Sequence, residues 1–191
     1  MNKERLIKLE NVSFAYPSSQ KNVLDHVDFE LFQGDRIGLI APNGSGKTTL
    51  LHLMMGLCRP DEGRIELFGE KVSTEKDFAR LRTRIGLMFQ DADDQLFNPY
   101  VIDDVAFGPL NLGYSPEQAL RTARETLELL GISDFERSIV HRLSGGEKRL
   151  VALASVLAMK PEVLLLDEPT SGLDSAVKER IESVLSGLDI S

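Results

Sequence analysis

Residues 41–48 read Ala41-Pro-Asn-Gly-Ser-Gly-Lys-Thr48, an arrangement suited to holding phosphate. Gly44 and Gly46 let the backbone wrap tightly and aim successive N–H groups at phosphate oxygens. A helix beginning at Lys47 would present its positive end to the same anion. Lys47 adds a compact positive charge, and Thr48 places a hydroxyl where Mg²⁺ can take it as a ligand. The phosphate-loop pattern is met at every fixed position except the first, where Ala41 stands for glycine. A Gly-rich turn with a chance Lys-Thr would give the same letters. The run Arg36 to Ile40 before it, read as a strand, and the helical pattern after it supply the context that phosphate binding needs.

A second group of chemical residues follows the continuous apolar run Val163 to Leu166, which ends in Asp167-Glu168-Pro169. Such a run reads as a buried strand, and adjacent residues on it point to opposite sides. The two acids therefore need not share a role. Asp167 would join the Mg²⁺ shell, and Glu168 would orient or deprotonate an attacking water. Alone this pattern is weak, because any strand meeting a polar turn gives it. Beside the loop at 41–48 it gains weight.

The third group, Leu143-Ser-Gly-Gly-Glu147 followed by Lys148 and Arg149, resembles the signature motif of the ATP-binding-cassette ATPases. Ser144 and Glu147 would by themselves make a capping box. Gly145 and Gly146 at the first helical positions each cost about 1 kcal/mol against alanine, which a mere cap would not require. Side-chain-free positions at a positive helix end suit close approach of a phosphate. The resemblance implies that Ser144, Gly145, Gly146 and Glu147 contact ATP held by the opposite protomer of a head-to-tail dimer.

Further positions take roles from the resemblance. Ala41, Pro42, Asn43, Gly44, Ser45, Gly46, Lys47, Thr48 and Thr49 would surround the ATP phosphates, and Tyr16 falls where the family's adenine-stacking aromatic lies. Gln90 resembles the glutamine linking Mg²⁺ and the attacking water to the transport partner. The Mg²⁺ set would be Thr48, Gln90 and Asp167, and the catalytic pair Glu168 and Gln90. Ser171-Gly-Leu-Asp174 resembles the dimer-contact loop, although a helix N-cap at Asp174 would also explain that acid.

The elements that must carry these residues alternate. Strand-like runs occur at Arg5 to Leu9, Val12 to Tyr16, Val27 to Phe32, Arg64 to Phe68 and Ile85 to Phe89. Helical runs cover Lys47 to about Gly56, Ser115 to Leu130, Ser144 to before Pro161, and Asp174 to about Ser186. A shorter helix is expected at Ser133. The resemblance implies a phosphate-loop NTPase α/β fold: a parallel RecA-like sheet, an N-terminal antiparallel β-subdomain and a helical insertion over about 91–142. All 191 residues would form one such domain.

Composition narrows the function. Lys plus Arg is 22 against 30 for Asp plus Glu, a net charge of −8. That opposes a nucleic-acid partner, and with the compact insertion it opposes the DNA-repair and ribosome-associated relatives of the fold. A single cysteine, Cys58, excludes an internal disulfide. No signal peptide is visible, and the longest apolar run, Val151 to Met159, is far too short to span a membrane.

Phe89-Gln-Asp-Ala-Asp-Asp-Gln-Leu-Phe97 and Asp104-Val-Ala-Phe-Gly-Pro-Leu-Asn-Leu112 resemble the energy-coupling-factor importer ATPases, particularly the cobalt and nickel branch. The resemblance implies a transmembrane partner whose coupling helix docks near Gln90 to Pro109. It also implies a second ATPase protomer and a peripheral position on the cytoplasmic face of the membrane. Packing within the helical insertion would explain the same stretch without a partner. Family ATPases carry a further strand and a switch histidine after the dimer-contact loop. Here 23 residues follow Glu168 and none is histidine, so the expectation is a shortened form lacking the final strands after that loop. Three readings follow: an ATPase powering cobalt or nickel import, a vitamin-importing counterpart, or a hydrolysis-impaired nucleotide-binding fragment.

Overall fold

The computed structural model describes residues 3–17, 19, 21–188 and 190–191. It divides into two compact units, Met1–Ile85 with Ile190–Ser191, and Gly86–Asp189. In the first unit, strands β1 (Arg5–Phe14) and β2 (Leu24–Phe32) pair antiparallel. Helix α1 (Lys47–Met54) comes next, then strands β3 (Glu62–Leu67) and β4 (Glu70–Val72). The sheet order is β2-β1-β3-β4. Alternation along β1 puts Ile7 and Leu9 on one face, opposite Leu67 and Ile65 of β3, and all four are buried. The other face is polar, and a register shift between Arg5 and Ile7 brings Arg5 onto it, where it donates to Glu30 of β2 and Glu66 of β3, each at 3.0 Å.

Asn11, read as a break between two strands, lies inside β1. Its φ of 52° puts an irregularity in the ladder without ending it. Its N–H donates to Asp28 and its side-chain oxygen lies 2.9 Å from His26 Nδ1, so both of these groups have partners at the irregularity. Helix α2 (Glu75–Leu81) was not expected, although Thr74 and Asp77 form a full capping box before it. The signal was present, with Asp in the position where Glu or Gln is usual.

One expectation is overturned. Arg36 to Ile40 is not a strand, and it pairs with no strand among the described residues. Ile37 and Leu39 are exposed, and Ile40 is 98% exposed. An apolar run becomes a strand only where neighbouring strands take up its N–H and C=O groups. In this unit the sheet ends at β2 and β4, and the run joins neither.

Strand β5 (Ile85–Met88), which lies in the second unit from Gly86 onward, and β6 (Val163–Leu166) form a two-stranded parallel sheet. The Asp167 N–H donates to the Met88 carbonyl at 3.1 Å, where both strands end on the same side. Helices α3 (Val101–Asn111), α4 (Pro116–Leu129) and α5 (Gly145–Leu157) pack on one another, and α6 (Ser175–Gly187) packs on α5. Helix α4 begins as its Ser-Pro-Glu-Gln start predicts, with Ser115 and Gln118 capping each other. The segment at Ser133 is a single 3₁₀ turn, Ser133–Phe135. Among the described residues, no helix is long and apolar enough to cross a membrane.

Asp104 in the first turn of α3 is 4% exposed. Its Oδ1 accepts from the N–H groups of Phe97 and Asn98 and from the Asn98 side chain, at 3.2, 3.0 and 3.0 Å. Its Oδ2 is buried without a partner. All the bonding runs through one oxygen, so Asp104→Asn keeps an acceptor, whereas Asp104→Ala strands three donors. The alanine variant is expected to lose about 2 kcal/mol or more and the asparagine variant less than about 1 kcal/mol. Urea unfolding of the two variants checks this, and equal losses would refute it.

Candidate functional site

In the first unit, the phosphate loop feeds directly into α1. Four helices, α2, α4, α5 and α6, begin under a side-chain cap. Helix α3 has no such cap, but the N–H groups of Val101 and Ile102 donate to the Ser138 and Glu136 carbonyls. Helix α1 is different: Gly46 is its N-cap, no side chain caps it, and its first turn contains no acid. A Cβ at Gly46 would meet Val23 and Leu24 at about 3 Å, so the loop lies against the chain entering β2. Lys47 Nζ donates to the carbonyls of Ala41 and Pro42 at 3.0 and 3.3 Å, which holds the charge over the loop. An uncapped positive helix end beneath an ammonium group is a fit for phosphate.

Tyr16 and Thr49, both expected around the nucleotide, are brought together with their hydroxyl oxygens 3.0 Å apart. Thr49 is buried, while the Tyr16 ring is partly open and meets Phe14 edge-to-face.

The second unit gathers Gln90, Asp167 and Glu168 at the ends of β5 and β6. Gln90 Nε2 donates to Glu168 Oε2 at 3.4 Å. Asp167 is 5% exposed, and Glu168 is half-buried. Glu168 has φ 47°, in the left-handed region that residues with a Cβ seldom adopt. The chain turns there, so the two acids part by this turn as well as by strand alternation. A non-glycine residue held in that region is the kind of local strain found at chemical sites.

Helix α5 supports this cluster. Lys148 donates to Asp93 at 2.5 Å. Arg149 donates to the Gln90 carbonyl and, at 3.4 Å, to that of Phe89. The Gln95 side chain accepts from the Phe89 N–H at 3.2 Å and donates to the Ala152 carbonyl and Ser155 hydroxyl at 2.8 and 2.9 Å. The segment bearing Gln90 is thus tied to α5 at three points. Sequence reasoning noted Lys148 and Arg149 only as basic followers of Glu147 and gave Gln95 no role. Their adjacency to the 144–147 motif was the available signal.

At the start of α5, Ser144 and Glu147 form the expected capping box, and the Ser144 N–H donates to Glu147 at 2.7 Å. That bond holds the Glu147 carboxyl below its usual range. Gly145 faces open space, whereas a Cβ on Gly146 would come within 3.3 Å of Val177. Close packing of α6 is therefore a second reason for glycine at 146. Asp174 caps α6 by accepting from Ala176 and Val177, both at 3.0 Å. Phe97 and Phe107 form an exposed edge-to-face pair with centroids 4.7 Å apart, and Tyr100 and Leu110 are also exposed.

The first unit carries a phosphate loop leading into an uncapped helix, and the second carries an acid pair and a glutamine after buried strands; each is a feature of the phosphate-loop class of nucleoside-triphosphate-binding proteins. The comparisons narrow the class. The family profile described as "ABC transporter" matches residues 24–171, and the chain belongs to that family. It is 54% identical over 181 residues to a putative ABC transporter ATP-binding protein of Nitratidesulfovibrio vulgaris, covering 95% of this chain and 66% of the relative. It is 46% identical over 184 residues to the cobalt import ATP-binding protein CbiO of Rhodobacter capsulatus, covering 96% and 65%. The chain thus spans slightly under two thirds of the length of these relatives. The solved structure of CbiO1 from Clostridium perfringens, part of the CbiONQ ABC transporter complex, superposes with a TM-score of 0.85 at 32% identity. It covers 98% of this chain and 74% of that one.

Proposed function

We propose that this chain is an ATP-binding and ATP-hydrolysing subunit that powers import of a metal ion, cobalt or nickel, through a membrane-embedded partner. The observation that carries the nucleotide reading is the first turn of α1, uncapped and free of acids, with Lys47 held over the loop. ATP places its phosphates on residues 41–49 and its adenine against Tyr16. Thr48, Gln90 and Asp167 would hold Mg²⁺, which would supply charge neutralisation along the phosphates. Glu168 orients water for in-line attack, and Gln90 positions the Glu168 carboxylate. Ser144, Gly145, Gly146 and Glu147 contact ATP of a second protomer, and Asp174 lies at the dimer contact.

Residues of about 91–142 form the helical insertion of this single ATPase domain. The exposed pair Phe97 and Phe107, with Tyr100 and Leu110, is the surface for the transmembrane subunit, and the protein lies peripherally on the cytoplasmic face. Cobalt or nickel as cargo is supported by the similarity to cobalt-import relatives.

Titration of the chain with Mg-ATP tests the nucleotide reading. Saturable binding is expected, weakened about tenfold to a hundredfold in Lys47→Ala, since a hydrogen bond to a charged group contributes about 1.5–3 kcal/mol. Absence of binding by the parent, or equal affinity in the variant, sinks it. One observation favours a second reading, binding without turnover: the run 37–40 entering the phosphate loop is exposed and belongs to no strand.

A further inference from the structure

Thr49 sits in the first turn of α1 and is 4% exposed. A buried hydroxyl needs a partner, since leaving one unbonded away from water is unfavourable. Tyr16 supplies it, with Oη 3.0 Å from Thr49 Oγ1. The tyrosine has two different ends. Its hydroxyl is fixed on the helix that follows the phosphate loop, while the residue remains 39% exposed. Phe14 braces the ring edge-to-face, with centroids 5.0 Å apart and planes at 83°.

Either hydroxyl could donate, and the chemistry of the site distinguishes them. A phenol is the more acidic donor, and a threonine hydroxyl has two acceptor lone pairs beside its single proton. If Tyr16 donates, the Thr49 proton stays available for an anion at the loop, and each bond polarises the next.

We infer that Tyr16 recognises the nucleoside triphosphate through its hydroxyl as well as its ring, by donating to Thr49 and directing the Thr49 proton to the phosphate chain. Base platform and phosphate loop then form one unit, and the ring is held in place before the ligand arrives. This inference rests on the nucleotide-binding reading above and adds a positioning role that stacking alone does not require.

The test is calorimetric titration of the full chain with Mg-ATP and, separately, with inorganic tripolyphosphate. The proteins are the parent, Tyr16→Phe, Thr49→Val, their double variant and Thr49→Ser. Tyr16→Phe keeps the ring, yet it is expected to weaken both ligands by about fivefold. Thr49→Val should do at least as much, and the double variant should be no weaker than Thr49→Val alone. Thr49→Ser, which keeps a hydroxyl, should restore tripolyphosphate binding.

A Tyr16→Phe variant that binds tripolyphosphate like the parent would overturn the inference and leave the nucleotide reading standing. Strictly additive losses in the double variant would overturn it too. If the parent bound neither ligand, the nucleotide reading itself would fall, and this inference with it. Should Tyr16→Phe fail to fold, Thr49→Val against Thr49→Ser still reads the hydroxyl, and equal tripolyphosphate affinity in that pair would refute it.

Discussion

Glu168→Gln is expected to keep Mg-ATP binding and to lower steady-state hydrolysis by about 10²- to 10⁴-fold, the range for loss of a positioned acid–base group. The substitution preserves size and leaves an acceptor oxygen for Gln90, which donates to Glu168 Oε2 at 3.4 Å. What it removes is the negative charge proposed to orient or deprotonate water. Phosphate release and equilibrium ATP binding, measured on the same preparations, separate the two effects. Unchanged turnover in the variant would remove Glu168 from the chemistry. A parent no faster than the variant, while still binding ATP, would instead favour binding without turnover.

Gly63→Ala is the second large effect, and it falls on stability. Gly63 lies in β3 opposite the Asn11 irregularity of β1, with φ 88°. A Cβ there would lie 2.3 Å from the Asn11 carbonyl oxygen and 2.5 Å from that of Glu10. Both are backbone atoms inside a paired strand, so no side chain can swing away. Overpacking of about 1–3 kcal/mol adds to an unfavourable left-handed conformation of about 1 kcal/mol, for an expected loss of about 3 kcal/mol. Gly69→Ala is the internal control: its φ is 78°, but its Cβ would meet nothing within 4 Å. It should lose only the conformational part. Urea midpoints for the two variants decide the matter, and similar shifts would show that the steric part is relieved by movement of β1.

Much of the candidate site was legible in the sequence because its signals are local. The loop at 41–48, the capping boxes at Ser115 and Ser144, and the acids ending an apolar run each depend on a few adjacent residues. The structure places α4, β6 and α6 within a residue or two of their expected limits, and α5 starts as expected but ends at Leu157, short of the limit before Pro161. Misreadings arose where an outcome depends on partners distant in sequence. Asn11 looked like a break because a positive-φ residue within a paired strand has no clear local signature. Helix α2 was missed because it is short and its capping acid is aspartate.

The sequence by itself determined the family, the order of the motifs and the residue types offered to phosphate, metal and water. Those follow from side-chain chemistry at fixed spacing, which any chain path must respect. Only the tertiary structure decided that the Tyr16 hydroxyl meets Thr49, that Arg149 holds the carbonyl of Gln90, and that the run 37–40 lies outside the sheets formed by the described residues. Each of these depends on hydrogen-bonding groups tens of residues apart in the chain, or on strand partners that a local pattern does not specify.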